Sequence, residues 1–141
     1  MPEFVTGFAE MVLVVRDVPK AAEFYERVVG LTVEKAADDE WAWFTIGKHH
    51  PLQRIGLHRG KLLYEEKSPN PEGARWGHIH YALHVAPENL ERAVKHVREH
   101  GVEVYGPETF KWMKAKSYYF YDPDGNLIEF WAEEALEKDE V

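Results

Sequence analysis

The sequence predicts an α+β fold of two βαβββ modules related by a pseudo-twofold axis, their strands forming a concave, barrel-like sheet with the helices outside. Three observations predict it. A short apolar strand leads through a capped helix into three further strand-like runs. The same order starts again in the second half of the chain. The two halves also align by their caps, Val15 meeting Val85 at a shift of 70 residues and Gly30 meeting Gly101 after one extra helix residue. The 141 residues therefore read as a single domain, with modules at 7–59 and 77–132, a linker at 60–76 and an acidic tail at 133–141.

The first strand, at 8–16 (FAEMVLVVR), is rich in valine and bounded by Gly7 and Asp17. Asp17 is placed to cap a helix, Pro19 suits its first turn, and Ala21, Phe24, Tyr25 and Val28 recur at helical spacing up to Gly30. Strands follow at 31–35, 41–46 and 53–58, and 60–77 (GKLLYEEKSPNPEGARWG) has the polarity and prolines of a linker or lid. The second half begins with a strand at 78–85 (HIHYALHV). Pro87 opens a helix carrying Leu90, Ala93, Val94 and Val97, and Gly101 closes it. Strands are expected at 102–105, 117–121 and 126–131, the last two joined by a type I turn at Asp122-Pro-Asp-Gly125.

Composition narrows the function. With 45% hydrophobic and 13% aromatic residues the chain can bury a substantial core. Seventeen basic against 25 acidic residues, a net charge of −8, argue against nucleic acid or an anionic membrane as partner. The absence of cysteine removes disulfides, thiolate metal sites and a cysteine nucleophile. The start, MPEFVTGFAE, lacks the pattern of a signal peptide, and a cytoplasmic location is expected.

Glu129 lies in the middle of the apolar strand that follows the turn in YDPDGNLIEFWA. Strand alternation puts it on one face with Leu127 and Trp131, where an unpaired carboxylate would cost several kcal/mol, roughly. A base such as Arg54, Lys114 or Lys116 could satisfy it. The repeat offers another answer, since it sets Glu10 opposite His80 on the first strand of each half and Gly56 opposite Glu129 on the last. Two carboxylates and an imidazole on strands lining one cavity would bind a divalent cation and leave positions open for water or substrate. His78 and His84 share the face of His80 and are expected to support the ligands from beside them; His49, His50 and His58 form a separate group. Most of Trp41, Trp43, Phe44, Trp76, Tyr105, Trp112, Tyr118 and Tyr119 are expected to pack in the core.

The segments VLVVRDVPKAAEFYERVVGL and KSYYFYDPDGNLIEFWA resemble the vicinal oxygen chelate superfamily, which includes glyoxalase I, extradiol dioxygenases, fosfomycin-resistance enzymes and bleomycin-binding proteins. The resemblance runs from about Gly7 to Ala132. It implies metal ligation by Glu10, His80 and Glu129, with Glu10 and Glu129 as the candidate catalytic carboxylates. Gly56 departs from glyoxalase I, which has a fourth protein ligand there. Lys114, Ser117 and Tyr119 precede the last turn and are the expected substrate contacts, Ser117 loosely matching the fosfomycin enzymes; the arginine those enzymes carry after the glutamate is missing. The resemblance also implies a homodimer and a small-molecule substrate.

Two glutamates and one histidine are hard, oxygen-rich donors. They suit a Lewis-acid cation, with Ni, Co, Zn, Mn, Mg and Fe all admissible, that polarises adjacent oxygens of a small substrate in isomerase or lyase chemistry. An extradiol-type ring-cleavage dioxygenase is the alternative enzyme, although oxygen activation usually uses two histidines and one carboxylate on iron. A metal-free drug-binding protein of the bleomycin-resistance type is the alternative outside enzymes.

Overall fold

The structure, a computed structural model, describes residues 4, 7–50, 52–60, 64, 67 and 79–134. The chain divides into two compact units, Met1–Arg75 and Trp76–Val141, and each forms its own four-stranded sheet with a βαβββ connection.

In the first unit β1 (Glu10–Val14) leads into α1 (Val18–Phe24), then β2 (Thr32–Lys35), β3 (Trp41–Ile46) and β4 (Gln53–His58). Asp17 caps α1 as its sequence suggests, its Oδ1 accepting the Lys20 N–H at 3.0 Å. After Phe24 the helix loosens into a π turn over Tyr25–Val29, where the N–H groups of Gly30 and Leu31 both donate to Tyr25 O. Gly30, at φ 88°, takes the left-handed conformation that ends it. The sheet order is β1-β4-β3-β2, with β1 parallel to β4 and the remaining pairs antiparallel. Leu13, Leu57 and Ala42 lie side by side on one face with Ile55 and Phe44, and α1 covers them with buried Val18 and Ala21, the following π turn adding buried Tyr25 and Val28. Each fully buried large side chain, such as Leu13 or Phe44, contributes about 1.5–3 kcal/mol.

The second unit repeats this plan. It contains β5 (His80–His84), α2 (Leu90–Glu99, entered through a 3-10 turn at Pro87–Asn89), β6 (Tyr105–Phe110), β7 (Ala115–Tyr121) and β8 (Leu127–Glu133). The order is β5-β8-β7-β6, and β5 is parallel to β8. Leu90, Val94 and Val97 of α2, together with Tyr81, Tyr118, Phe120, Ile128 and Phe130 of the sheet, form the buried layer. Glu91 ties the helix to β7, accepting from Lys116 Nζ at 2.8 Å and from the Tyr118 hydroxyl at 2.9 Å.

One element differs from the sequence expectation. The strand expected at 102–105 is instead Tyr105–Phe110, an edge strand whose register shifts between Tyr105 and Glu108 as it pairs with β7. Its sequence, YGPETF, lacks apolar alternation because it has one neighbour and is largely exposed. Glu133 belongs to β8 rather than to a tail, and Glu134 N–H donates to Lys114 O at 2.7 Å. Of the expected linker, only Gly60, Tyr64 and Lys67 are described; Trp76, His78 and residues 135–141 lie outside the described residues. Among the described residues no helix is long and apolar enough to cross a membrane.

Candidate metal centre

The turn before β8 positions the site. Asp122 Oδ1 accepts the N–H groups of Asp124 and Asn126 at 2.9 and 2.8 Å, its Oδ2 accepts Asn126 Nδ2 at 3.0 Å, and Gly125 takes φ 85°. Asn126 in turn reaches across to the neighbouring strand, where its Oδ1 accepts the Ile79 N–H at 3.3 Å. Leu127 N–H donates to Ile79 O at 2.9 Å. The DPDGN motif therefore starts β8 and fixes the register of β5 beside it: His80 pairs with Leu127 and Ala82 with Glu129. Paired residues share a face. His80, Ala82 and His84 of β5 thus stand on the same face as Glu129 and Trp131 of β8 and Ser117 and Tyr119 of β7, opposite the face packed under α2.

On that face Glu129 is 7% exposed, yet both of its oxygens are occupied. Glu129 Oε1 lies 2.9 Å from His80 Nε2. Glu129 Oε2 accepts the Ser117 hydroxyl at 2.6 Å, and Ser117 is completely buried. Against an ionised carboxylate, which only accepts, His80 Nε2 would be the donor. Tyr119 sits directly opposite Glu129 in the β7–β8 register, its ring 6.0 Å from that of His80. Burial first, and then the charges of Glu129 and Glu108, push the Tyr119 phenol above its usual range, so it is neutral at pH 7.

Two of the three bases considered for Glu129, Arg54 and Lys116, are engaged elsewhere. Arg54 makes a two-pronged pair with Glu34 at 2.7 and 2.9 Å. That bond first, and further off the charge of Glu10, holds the guanidinium above its usual range. Lys116 is on the helix face with Glu91. Lys114 is exposed in a left-handed turn, φ 48°, after a 3-10 segment at Lys111–Met113. Ser117, expected to touch substrate, is instead enclosed beneath Glu129. His84 forms a separate pair with Glu133, Nε2 to Oε2 at 2.7 Å, with its ring 5.8 Å from Trp131. Of the two histidines expected beside the ligands, His78 lies outside the described residues.

Glu10 belongs to the first unit, where it is exposed on β1 and pairs with Arg54. Two residues further on, Val12, Gly56 and Trp43 lie abreast, as Ala82, Glu129 and Tyr119 do in the second unit. The register therefore places Glu10 as the counterpart of His80 and Gly56 as that of Glu129. The Trp43 ring covers Gly56 and stacks against Trp41, which stacks in turn on His58 at 3.9 Å. This ring ladder was not legible as such, although Trp41, Trp43 and His58 share strand parity. Trp112 and Tyr105, expected in the core, are exposed.

An imidazole nitrogen and a carboxylate oxygen at 2.9 Å are donors that suit a divalent cation, which would take the place of the shared proton. Among the described residues no three His, Asp or Glu side chains gather closely enough to hold one. The convergent part of the expected ligand set is His80 and Glu129.

Residues 7–130 match the profile of the Glyoxalase/Bleomycin resistance protein/Dioxygenase superfamily. The chain belongs to this superfamily. Over 134 residues, 90% of this chain, it is 29% identical to a catechol-2,3-dioxygenase from Bacillus subtilis (strain 168), and it spans 41% of that relative's length. An integron cassette protein from the mobile metagenome of V. cholerae superposes with a TM-score of 0.71 at 30% identity, covering 94% of this chain and 98% of the other. A lactoylglutathione lyase from Agrobacterium tumefaciens gives a TM-score of 0.70 over 92% of this chain and 96% of its own; at 19% identity it shares the fold. The superfamily contains both lyases and dioxygenases, and its members typically use a divalent metal.

Proposed function

We propose that this superfamily member is a metal-dependent enzyme whose cation is held by His80 and Glu129. The observation that carries the proposal is the Glu129 carboxylate, enclosed on an apolar strand with one oxygen 2.9 Å from an imidazole that is itself half exposed. Such a pair is costly as a purely structural device, because burying the carboxylate loses hydration that one imidazole and one hydroxyl replace only in part. As half of a metal site the same arrangement is pre-organised. The bound cation would supply Lewis-acid polarisation of two adjacent oxygens on a small substrate.

The chain's own groups complete the chemistry. Glu129 would carry part of the charge that balances a divalent ion. Tyr119, held neutral beside Glu129, offers a hydroxyl proton to a substrate oxygen. This set suits an isomerase or lyase acting on a vicinal-oxygen substrate without molecular oxygen. The match to a catechol-2,3-dioxygenase favours a second reading, ring cleavage of a catechol by iron and oxygen.

Calorimetric titration with Ni, Co, Zn, Mn, Mg and ferrous iron tests the site. Micromolar or tighter binding by wild type, lost in His80→Ala and strongly weakened in Glu129→Gln, is the expected result. Equal binding by all three proteins would overturn it. An oxygen electrode with catechols, run beside 2-oxoaldehyde hemithioacetals, separates the two reactions. Failure to bind any metal, together with tight binding of an aromatic drug, would replace both with a binding protein.

A further inference from the structure

The two oxygens of Glu129 have different surroundings. Oε2 points inward to Ser117, which is completely buried on β7 and donates at 2.6 Å, the short range of a hydroxyl bonding a charged acceptor. Oε1 points outward to His80, whose side chain is 51% exposed. The serine is held on the neighbouring strand, where its Cα partners are Trp131 on β8 and Glu108 on β6, so it belongs to a paired interior strand rather than a loop. Its hydroxyl can turn only about one bond, and the Glu129 carboxylate accepts it.

We propose that Ser117 is a positioning residue that makes Glu129 a one-oxygen ligand. By holding Oε2, the serine fixes the plane of the carboxylate and leaves Oε1 alone to face a cation beside His80 Nε2. This assigns Ser117 a task other than the substrate contact its sequence position suggests, and it rests on the metal site proposed above. A cation held by His80 Nε2 and Glu129 Oε1 would replace the hydrogen bond between them and leave the Ser117–Glu129 bond in place. A carboxylate free of the serine could rotate and present both oxygens, filling a coordination position that a substrate oxygen needs.

The test uses cobalt(II) as both ligand and reporter. Wild type, Ser117→Ala, Ser117→Thr and His80→Ala are titrated with cobalt chloride, and affinity and visible absorption are recorded. Ser117→Ala should weaken binding about 10- to 100-fold, the usual effect of removing a hydrogen-bond partner of a ligand. Its cobalt bands should also weaken and shift, because a two-oxygen carboxylate raises the coordination number. Ser117→Thr, which keeps the hydroxyl, should restore the wild-type spectrum. Thermal unfolding of the metal-free proteins controls for the fold. If Ser117→Ala or the bulkier Ser117→Thr does not fold, Ser117→Gly, which also lacks the hydroxyl and adds no metal donor, takes its place and should show the alanine phenotype. Cobalt binding that depends on His80 but has the same affinity and spectrum without the serine hydroxyl would overturn the role of Ser117 and leave the metal site standing. Wild type that binds no cobalt would overturn the metal site itself.

Discussion

The indole of Trp43 lies over Gly56 so closely that a Cβ at position 56 would sit 2.6 Å from Trp43 Cζ3. Glu129 occupies the matching place in the second unit, opposite Tyr119 instead of a tryptophan. Two sheets of the same connectivity thus use one register position differently, for ring packing in one and for a carboxylate in the other. The absence of a side chain at Gly56 is what admits the ring.

Gly56→Ala should therefore destabilise the protein. Alanine for glycine in ordinary backbone normally gains about 0.4–1 kcal/mol through the unfolded chain. Here the methyl group must push aside a ring held in a stack with Trp41, at 5.5 Å and 7° between planes, and overpacking of this kind costs about 1–3 kcal/mol. Denaturant unfolding should show the loss, and near-ultraviolet circular dichroism should show the tryptophan pair disturbed. Adding Trp43→Ala should remove the clash, so the two changes together should cost less than their sum.

The Glu91–Lys116–Tyr118 cluster gives stability a pH dependence with two limbs. Its hydrogen bond to Lys116, and then that to Tyr118, hold the Glu91 carboxyl below the ordinary 4.5. A depressed carboxyl stabilises the fold above its unfolded value and stops doing so as pH falls through the lower folded value. The Lys116 ammonium is raised above 10.5, chiefly by Glu91, and the Tyr118 phenol above 10.0, chiefly by burial. Their contributions are full below those values and fade as pH rises through the folded ones. Both limbs should be small, since Glu91 and Lys116 are partly solvated. Unfolding measured across pH should show shoulders below 4.5 and above 10, and Glu91→Gln should flatten the acid shoulder and reduce the alkaline one. Identical profiles for the two proteins would contradict this.

The sequence made much of this plan legible. β3 and β4 fall at 41–46 and 53–58 as expected, the turn that follows α1 ends at Gly30, and α2 closes just before Gly101. The match of Glu10 to His80, and of Gly56 to Glu129, survives as strand register within each unit. What pattern alone did not carry was depth. Ser117 reads as a substrate contact ahead of the last turn, but its parity with Tyr119 and Glu129 puts it under the carboxylate. β6 was misplaced because an edge strand with one partner needs no apolar alternation. The π turn after Phe24 was equally silent, since Tyr25 and Val28 keep their buried positions through it.

β5 and β8 carry two histidine–glutamate pairs, each member four residues beyond its counterpart, and the pairs should behave differently. His84 and Glu133 are both about half exposed, and the Glu133 carboxyl is held below its usual value, first by a backbone hydrogen bond and then by His84. Water screens this pair, whose carboxylate is about half exposed where that of Glu129 is enclosed. His84→Ala should leave cobalt affinity within about twofold, while His80→Ala should reduce it beyond the roughly 10–100-fold typical of outer partners. Comparable losses in both variants would mean that the two pairs share the metal and that the site has been drawn too narrowly.

The last prediction concerns which reaction is supported by the ligand set that the sequence resemblance implies, Glu10, His80 and Glu129. Two carboxylates and one imidazole form a hard set that favours Lewis-acid ions, whereas two imidazoles and one carboxylate form the set associated with ferrous iron and oxygen. With Glu10 as the third ligand, turnover of a vicinal-oxygen substrate should proceed under nitrogen and be supported by ions without redox chemistry, such as Zn or Mg. Glu10→His would convert the set to two imidazoles and one carboxylate. Competition titrations should then show preference moving toward ferrous iron relative to Mg, with Glu10→Ala as the control that loses affinity for both. Because Glu10 is exposed on β1 beside an Arg54 already paired with Glu34, neither change should disturb the first unit's core, and the melting temperature should hold within a few degrees. Stoichiometric oxygen uptake with catechols by the iron-loaded wild type would reverse the assignment, making the ring-cleavage reading correct and Glu10 compatible with iron.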